Sequence, residues 1–201
     1  MSLITPRIYL GDANNAKDAN FLQSKKIMLI INCAKEIPNY FPNAVKYIRL
    51  DLNDVPEQPI TDALKHASDA ILHAIDHKVT TFVHCAAGIS RSSSVVIFTL
   101  MRLYDWDFQK AYSFVKNMHP RTHPNPGFVK QLNSLQNSLQ KQEIESQDSI
   151  LIETSIDEEP NELYGVKQSA EKTDTSLTLD NNHARPTYAR SPKNPYAKIS
   201  K

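Results

Sequence analysis

Glycine and cysteine are scarce in this 201-residue chain, which has four glycines and two cysteines. The glycines lie too far apart for the glycine-rich loops that bind dinucleotides or ATP, at Gly11, Gly88, Gly127 and Gly165. Cys33 and Cys85 are 52 positions apart, and neither a CxxC nor an HExxH string occurs. The sequence therefore offers no ligand set for a zinc ribbon or a zincin site, and no disulfide scaffold.

Long apolar runs and a strong net charge are also absent. No stretch approaches about 18 consecutive apolar residues, and the opening string MSLITPRIYLGD lacks the apolar segment of a secretory signal. Residues 1–144 hold sixteen basic and twelve acidic side chains, an excess too small to indicate nucleic-acid binding. We therefore expect an intracellular protein, cytoplasmic or nuclear, that neither spans a membrane nor binds nucleic acid.

The composition changes after Ile144. Hydrophobic residues make up 45% of residues 1–144 but 28% of residues 145–201, and all seven Phe and the single Trp precede the change. We predict one folded domain over 1–144 and a disordered, charged tail over 145–201, because the tail cannot bury enough apolar surface to offset chain entropy. Its acidic residues are confined to 145–180 and five basic ones follow in 181–201, a pattern that could recruit an unknown partner or only keep the tail solvated.

Short apolar runs alternate with amphipathic stripes in residues 1–144. The runs predict strands at 8–10, 27–32, 47–51 and 80–84, and the second and fourth are nearly continuous, as is typical of strands buried on both faces. The stripes predict helices through 60–74, 108–118 and 128–139, with Asp107 capping the second. This order predicts an α/β domain with a mostly parallel central sheet flanked by helices.

The string TTFVHCAAGISRSSSVV at residues 80–96 predicts an anion-binding loop with a nucleophilic cysteine. A buried strand leads into Cys85, a loop of small side chains follows, and Arg91 then opens an apolar helix. Strand, loop and helix in this order direct backbone N–H groups and the positive helix end to one point, where an anion can bind. The same field favours the nucleophilic thiolate of Cys85, and the planar fork of Arg91 can hold two phosphoryl oxygens. The predicted phosphate-binding loop comprises Ala86, Ala87, Gly88, Ile89 and Ser90.

The string HCAAGISRSSS resembles the signature loop of the cysteine-based protein tyrosine phosphatases, in particular the small atypical dual-specificity branch. The strings ITPRIYLG and INCA resemble the opening strands of that family, and PNPGF at 124–128 resembles the turn between its closing helices. The resemblance covers nearly all of residues 1–144. It implies a cysteinyl-phosphate intermediate, no metal or other cofactor, and phosphorylated proteins as substrates.

The resemblance also implies a general acid on a separate loop. Asp54 matches the family position, seven residues after the aromatic Tyr47 that opens the preceding strand, and it lies just before a Val-Pro pair outside that strand. Asp51 and Asp62 lie in the same region, but Asp51 ends the strand and we expect it to be structural. A carboxyl group placed at Asp54 can protonate the leaving oxygen and then activate water.

Three further residues receive expected roles from the resemblance, and a fourth departs from the family pattern. His84 is expected to orient the loop through hydrogen bonds and to tune Cys85, and Ser92 to stabilise the departing thiolate. Asn125 is expected to brace the loop from behind. His119 stands where family members often have Arg, which puts an auxiliary anion contact from that turn in question.

Alternatives remain open at this point. A phosphoprotein-binding module with little turnover would keep the loop, but it would not require Asp54. RNA 5′-triphosphatase relatives tend to end the loop in Asn-Arg-Thr, where this chain has Ser-Arg-Ser, and phosphoinositide phosphatases place lysines in the loop, where this chain has none. Cys33 is interpreted as a core cysteine rather than a resolving thiol. Three histidines lie on one predicted helix, and we interpret them as solvated rather than metal-binding: His66, His73 and His77.

Overall fold

The computed structural model of the chain describes residues 1–136, which form a five-stranded sheet with helices on both faces. The strands are β1 (Ser2–Thr5), β2 (Ile8–Gly11), β3 (Ile27–Ala34), β4 (Lys46–Leu52) and β5 (Thr80–His84). The helices are α1 (Ala13–Lys17), α2 (Ala19–Ser24), α3 (Thr61–Asp76), α4 (Arg91–Tyr104) and α5 (Phe108–Met118). Residues 126–136 are helical as well and are called α6.

The strand order is β1-β2-β5-β3-β4, with β1 antiparallel to β2 and every other neighbouring pair parallel. Parallel pairing brings the carboxyl ends of β2, β3 and β5 to the same edge of the sheet. At that edge His84 of β5 pairs with Gly11 on one side and with Asn32 on the other. The segment that follows His84 therefore starts from the centre of the sheet, where open α/β sheets place their ligand sites.

Successive residues of the central strands enter different cores, as the period of two requires. Ile31 and Val83 belong to the larger core, together with residues of α3, α4, α5 and α6. Ile30 and Phe82 belong to the smaller core, together with Phe21 of α2. Helix α4 is buried from Arg91 to Met101, so its N-terminus is fixed at the carboxyl edge of the sheet.

The predicted α/β class with a mostly parallel sheet is confirmed. The four predicted strands correspond to β2–β5, the three stripes to α3, α5 and α6, and Asp107 caps α5 by accepting a hydrogen bond from Lys110 N at 2.7 Å. The strand reading missed β1, an edge strand in which only Ile4 and Thr5 are buried, and the short helices α1 and α2. Segments of four to six residues are too short to show a period.

The predicted tail at 145–201 and the last residue of the third stripe, Leu139, lie outside the described residues. Over residues 1–136, no helix is both long enough and apolar enough to cross a membrane. Cys33 lies in β3 and is fully buried in the larger core. Burial and the charge of Cys85 raise the pKa of Cys33, whereas Arg91 lowers it by a smaller amount.

Candidate active site

The loop at residues 85–90 joins the carboxyl end of β5 to the N-terminus of α4. Three of the carbonyl oxygens of residues 86–89 accept hydrogen bonds from donors outside the loop: Ala86 O from Ala13 N at 3.2 Å, Gly88 O from His119 Nε2 at 2.9 Å, and Ile89 O from His123 N at 2.8 Å. The carbonyl of a trans peptide and the N–H that follows it point in opposite directions. The amides of residues 87, 89 and 90 are therefore directed away from these donors and toward the inside of the loop.

Gly88 makes the bend in the loop, with φ at +68°. A Cβ at this position would lie 2.7 Å from Gly11 O, so glycine is required both for the left-handed conformation and for the close approach to β2. The bend also turns the Gly88 amide toward the thiol of Cys85.

The Cys85 sulfur lies inside the loop and accepts two hydrogen bonds. The donors are Gly88 N and the Ser92 hydroxyl, each 3.2 Å from Sγ. Cys85 is 1% exposed and stands close to the first turn of α4. Two hydrogen-bond donors and the positive end of α4 therefore face the sulfur.

Arg91 is fixed by an acidic residue that the sequence did not reveal, Glu36. The contact is bidentate, with Nη1 donating to Oε2 at 2.8 Å and Nη2 to Oε1 at 2.7 Å. Nη1 also donates to Leu52 O at 3.0 Å. Glu36 belongs to no motif and follows β3, so only the tertiary structure could show that it faces an arginine 55 positions away.

These contacts leave the Nε edge of Arg91 available. Nε is buried and has no hydrogen-bond partner among the described residues, and it lies 3.7 Å from Asp54 Oδ2. The hydrogen bond to Arg91 lowers the pKa of Glu36. Burial acts to lower the pKa of Arg91, but the hydrogen bond to Glu36 and nearby negative charges outweigh it, so the pKa is raised. The guanidinium is therefore a fixed cation with one edge free for an anion.

Asp54 lies in the segment between β4 and α3 and reaches the loop. Its Oδ1 accepts hydrogen bonds from Ser90 Oγ at 2.7 Å and from Asn125 Nδ2 at 2.9 Å. Of the other two candidates, Asp51 pairs with Arg49 on the surface and Asp62 lies in the first turn of α3. The structure thus brings Asp54, and neither of those two, to Ser90 of the loop and to Arg91.

Asn125 connects the three parts of the site. Its main-chain N donates to Ser90 Oγ at 3.0 Å, its amide nitrogen donates to Asp54, and its Oδ1 accepts from Phe128 N at 3.0 Å. The residue therefore contacts the last residue of the loop and the carboxylate, and it also satisfies a free amide in the first turn of α6.

Comparison with known proteins assigns the family. Residues 8–138 match the family model described as dual specificity phosphatase, catalytic domain. The chain belongs to this family. It is 38% identical over 130 residues to dual specificity protein phosphatase 14 of Mus musculus, which covers 64% of this chain and 65% of the relative. It is 35% identical over 139 residues to protein phosphatase Slingshot homolog 2 of Homo sapiens, but that match covers only 10% of the relative.

Solved structures of the dual-specificity phosphatase family share the fold. Human DUSP28 is 28% identical with a TM-score of 0.68, and the match covers 71% of this chain and 99% of that chain. The structure of DUSP15 is 31% identical with a TM-score of 0.65, covering 68% of this chain and 86% of that chain. The chain spans about two thirds of the length of phosphatase 14 and about a tenth of that of the Slingshot relative.

His84 ends β5 directly before Cys85. Both of its ring nitrogens are buried, and neither has a hydrogen-bond partner of good geometry among residues 1–136. The ring stacks on Phe82 with centroids 5.4 Å apart. The expected role of the His84 side chain in orienting the loop stays a prediction. Burial lowers the pKa of His84 to about 4, against smaller opposing effects of the Cys85 backbone and Asp12.

The three histidines considered as a metal face lie on or at the end of α3, and two of them, His73 and His77, stack with centroids 4.0 Å apart. No group of three or more His, Cys, Asp or Glu side chains within residues 1–136 is arranged to hold a metal ion. The dual-specificity phosphatase site itself is built from a thiol, an arginine, a carboxyl group and main-chain amides.

Proposed function

We propose that this chain is a dual-specificity protein phosphatase that hydrolyses phosphotyrosine and phosphoserine or phosphothreonine in proteins, through a cysteinyl-phosphate intermediate and without a metal ion. One observation carries the proposal. The Cys85 sulfur, the free edge of Arg91 and the Asp54 carboxyl group meet at a single loop whose amides face inward. A binding module needs the loop and Arg91, but it has no use for a carboxyl group held beside them.

In the first step, the Cys85 thiolate attacks phosphorus and the bond from phosphorus to the ester oxygen breaks. The leaving oxygen takes the proton of the Asp54 carboxyl group, so a neutral alcohol or phenol departs. Charge on the remaining phosphoryl oxygens is met by the Nε edge of Arg91 and by the inward amides. These donors are fixed before the substrate arrives, because Glu36 holds Arg91 and α4 is buried.

In the second step, the Asp54 carboxylate takes a proton from water, and the water oxygen attacks phosphorus. The bond from phosphorus to sulfur breaks, and Cys85 leaves as a thiolate. The Ser92 hydroxyl, 3.2 Å from the sulfur, donates a hydrogen bond to that charge. Inorganic phosphate is released, and the Asp54 proton is available for the next cycle.

Proteins are the substrate class that the loop favours. Its variable positions carry no basic side chain, so the loop offers no charge for the additional phosphates of an inositol lipid or for an RNA 5′-triphosphate. The curated relatives named above are protein phosphatases.

The proposal is tested with purified protein and an aryl phosphate in the presence of EDTA. We expect turnover, and we expect Cys85→Ser to abolish it while a phosphopeptide still binds, because the serine hydroxyl is a far weaker nucleophile and leaves the anion donors in place. A wild-type protein that binds phosphopeptide but shows no turnover would indicate a binding module instead. Turnover that depends on a divalent metal ion would contradict the cysteine mechanism.

A further inference from the structure

The hydrogen bonds to the carbonyl oxygens of Ala86, Gly88 and Ile89 differ in kind. The Ala86 and Ile89 carbonyls are held by main-chain amides, whereas the Gly88 carbonyl is held by the side chain of His119. A main-chain amide is present whichever non-proline residue occupies the position, but the contact to Gly88 depends on an imidazole. His119 directly follows α5 and is 5% exposed. Of these three contacts, it is the one that a side-chain substitution removes.

The hydrogen bonds of His119 define its tautomer. Gly88 O can only accept, so Nε2 of His119 carries the proton. Nδ1 lies 2.9 Å from the hydroxyl of Ser2 in β1, and in the neutral ring it accepts from that hydroxyl. The imidazole is therefore held at both ends, by the first strand of the sheet and by the loop.

The charges around His119 are consistent with a neutral ring. Burial lowers its pKa, whereas the hydrogen bond to the Gly88 carbonyl raises it. Of the nearby charged groups, the Met1 amine and Arg121 lower the pKa and Asp12 raises it.

The peptide that His119 holds follows Gly88, which has no Cβ to restrict its main-chain torsions. Rotation of this peptide changes ψ of Gly88 together with φ of Ile89, and Gly88 itself lies at φ +68°. Such a rotation would turn the Ile89 N–H away from the inside of the loop, where it can meet an anion. A hydrogen bond to the carbonyl opposes this rotation.

We propose that His119 is a positioning residue for anion binding: its Nε2–H holds the 88–89 peptide so that the Ile89 amide points into the loop, and Ser2 holds the ring. This role rests on the proposed function, in which the loop binds the phosphoryl group. It requires no contact between His119 and the substrate, in contrast to an arginine that would bind an anion directly.

Three substitutions of His119 separate this role from simple packing. The amide nitrogen of His119→Gln can reach the place of Nε2, the shorter His119→Asn cannot, and His119→Ala removes the donor. We expect the Asn and Ala variants to bind inorganic phosphate about tenfold more weakly in calorimetry, the scale of one lost hydrogen bond to a buried group. The Gln variant should stay within about threefold of wild type. His66→Gln, an exposed histidine substitution on α3, is the control and should leave binding unchanged.

A second measurement reports on the peptide itself. The NMR amide signal of Ile89 should shift in the Asn and Ala variants and remain near its wild-type position in the Gln variant. If the Ala variant does not fold, the comparison of the Asn variant with the Gln variant tests the role of His119. Equal phosphate affinity and an unchanged Ile89 signal in the Asn variant would overturn the role of His119. A wild-type protein that binds no phosphate and has no turnover would overturn the proposed function. The NMR amide signal of Ile89 in the variants would still test whether His119 positions the 88–89 peptide.

Discussion

At the scale of single residues, burial makes His84 differ from an ordinary histidine. Its ring is fully buried and stacks on Phe82. A charged imidazole there would lose its hydration, and the opposing effects of the Cys85 main chain and Asp12 are smaller than that loss. Burial therefore lowers the pKa of His84 to about 4.

His84 predicts how stability depends on pH. In the unfolded chain the histidine takes up a proton near pH 6.5, and in the folded protein only near pH 4. Between these values the unfolded state binds more protons than the folded state. The contribution of His84 to the free energy of unfolding is therefore present above about pH 6.5 and is lost as the pH decreases, by about 2 kcal/mol at pH 5. Denaturant unfolding of wild type and His84→Asn at pH 7 and pH 5 measures this. The variant should lose less stability than wild type, and equal losses would contradict the prediction.

At the scale of elements, the segment that carries Asp54 is fixed against the start of α6. Gln131 of α6 accepts a hydrogen bond from Ile60 N at 2.8 Å and donates one to Gln58 O at 2.9 Å. Gly127 lies so close to Pro56 that a Cβ on it would overlap the Pro56 main chain. The glycine of the PNPGF turn is thus required by a close approach of two main chains, which neither element shows in its own sequence.

Gly127→Ala should displace the segment that carries Asp54. The added methyl group meets main-chain atoms that cannot rotate away, so we expect a destabilisation of about 1–3 kcal/mol and a displaced carboxyl group. Turnover of phosphopeptides should fall much more than turnover of aryl phosphates with very acidic leaving groups, because only the poor leaving groups need the acid.

The same dependence on the leaving group should appear in Asp54→Ala, measured as kcat/KM across a series of esters. An alanine at position 127 that reduced all esters equally would show that the displacement does not reach the acid.

At the scale of the whole molecule, the parallel sheet gathers residues that are far apart in the chain. Glu36 follows β3, Asp54 follows β4, Cys85 follows β5, and Asn125 precedes α6. The carboxyl ends of β3, β4 and β5 lie at the same edge because these neighbours run parallel. The site residues named above all lie within residues 1–136, and their positions depend on the two cores that hold the sheet and α4 in place.

This arrangement predicts that residues 1–144 suffice for folding and for the chemistry. Removal of residues 145–201 should change the melting temperature by less than about 2 °C, and should change kcat/KM for a small aryl phosphate by less than about twofold. Thermal unfolding and steady-state kinetics of the full chain and the shortened chain test this. A shortened chain that is unfolded or inactive would show that the domain boundary predicted from composition is wrong.

The sequence predicted the parts of the site that are local. A buried strand, Cys85, five small residues and Arg91 lie within one string, so their order alone predicts a strand, an anion-binding loop and a helix N-terminus. Asp54 could be placed through the family resemblance, and the structure brings it to the loop. The burial of the His84 ring against Phe82 could not be predicted, because burial depends on which groups surround a side chain rather than on its neighbours in the chain.

Taken alone, the sequence determined the α/β class, the order of the main elements and the strand, loop and helix around Cys85, since each of these depends on short-range periodicity or on a contiguous motif. Only the tertiary structure decided how that centre is held: Glu36 on Arg91, His119 on the Gly88 carbonyl, and Gly127 against Pro56. These contacts join segments far apart in the sequence, and no periodic pattern marks them. They arise where the parallel strands end together, which is a property of the folded sheet and not of any single segment.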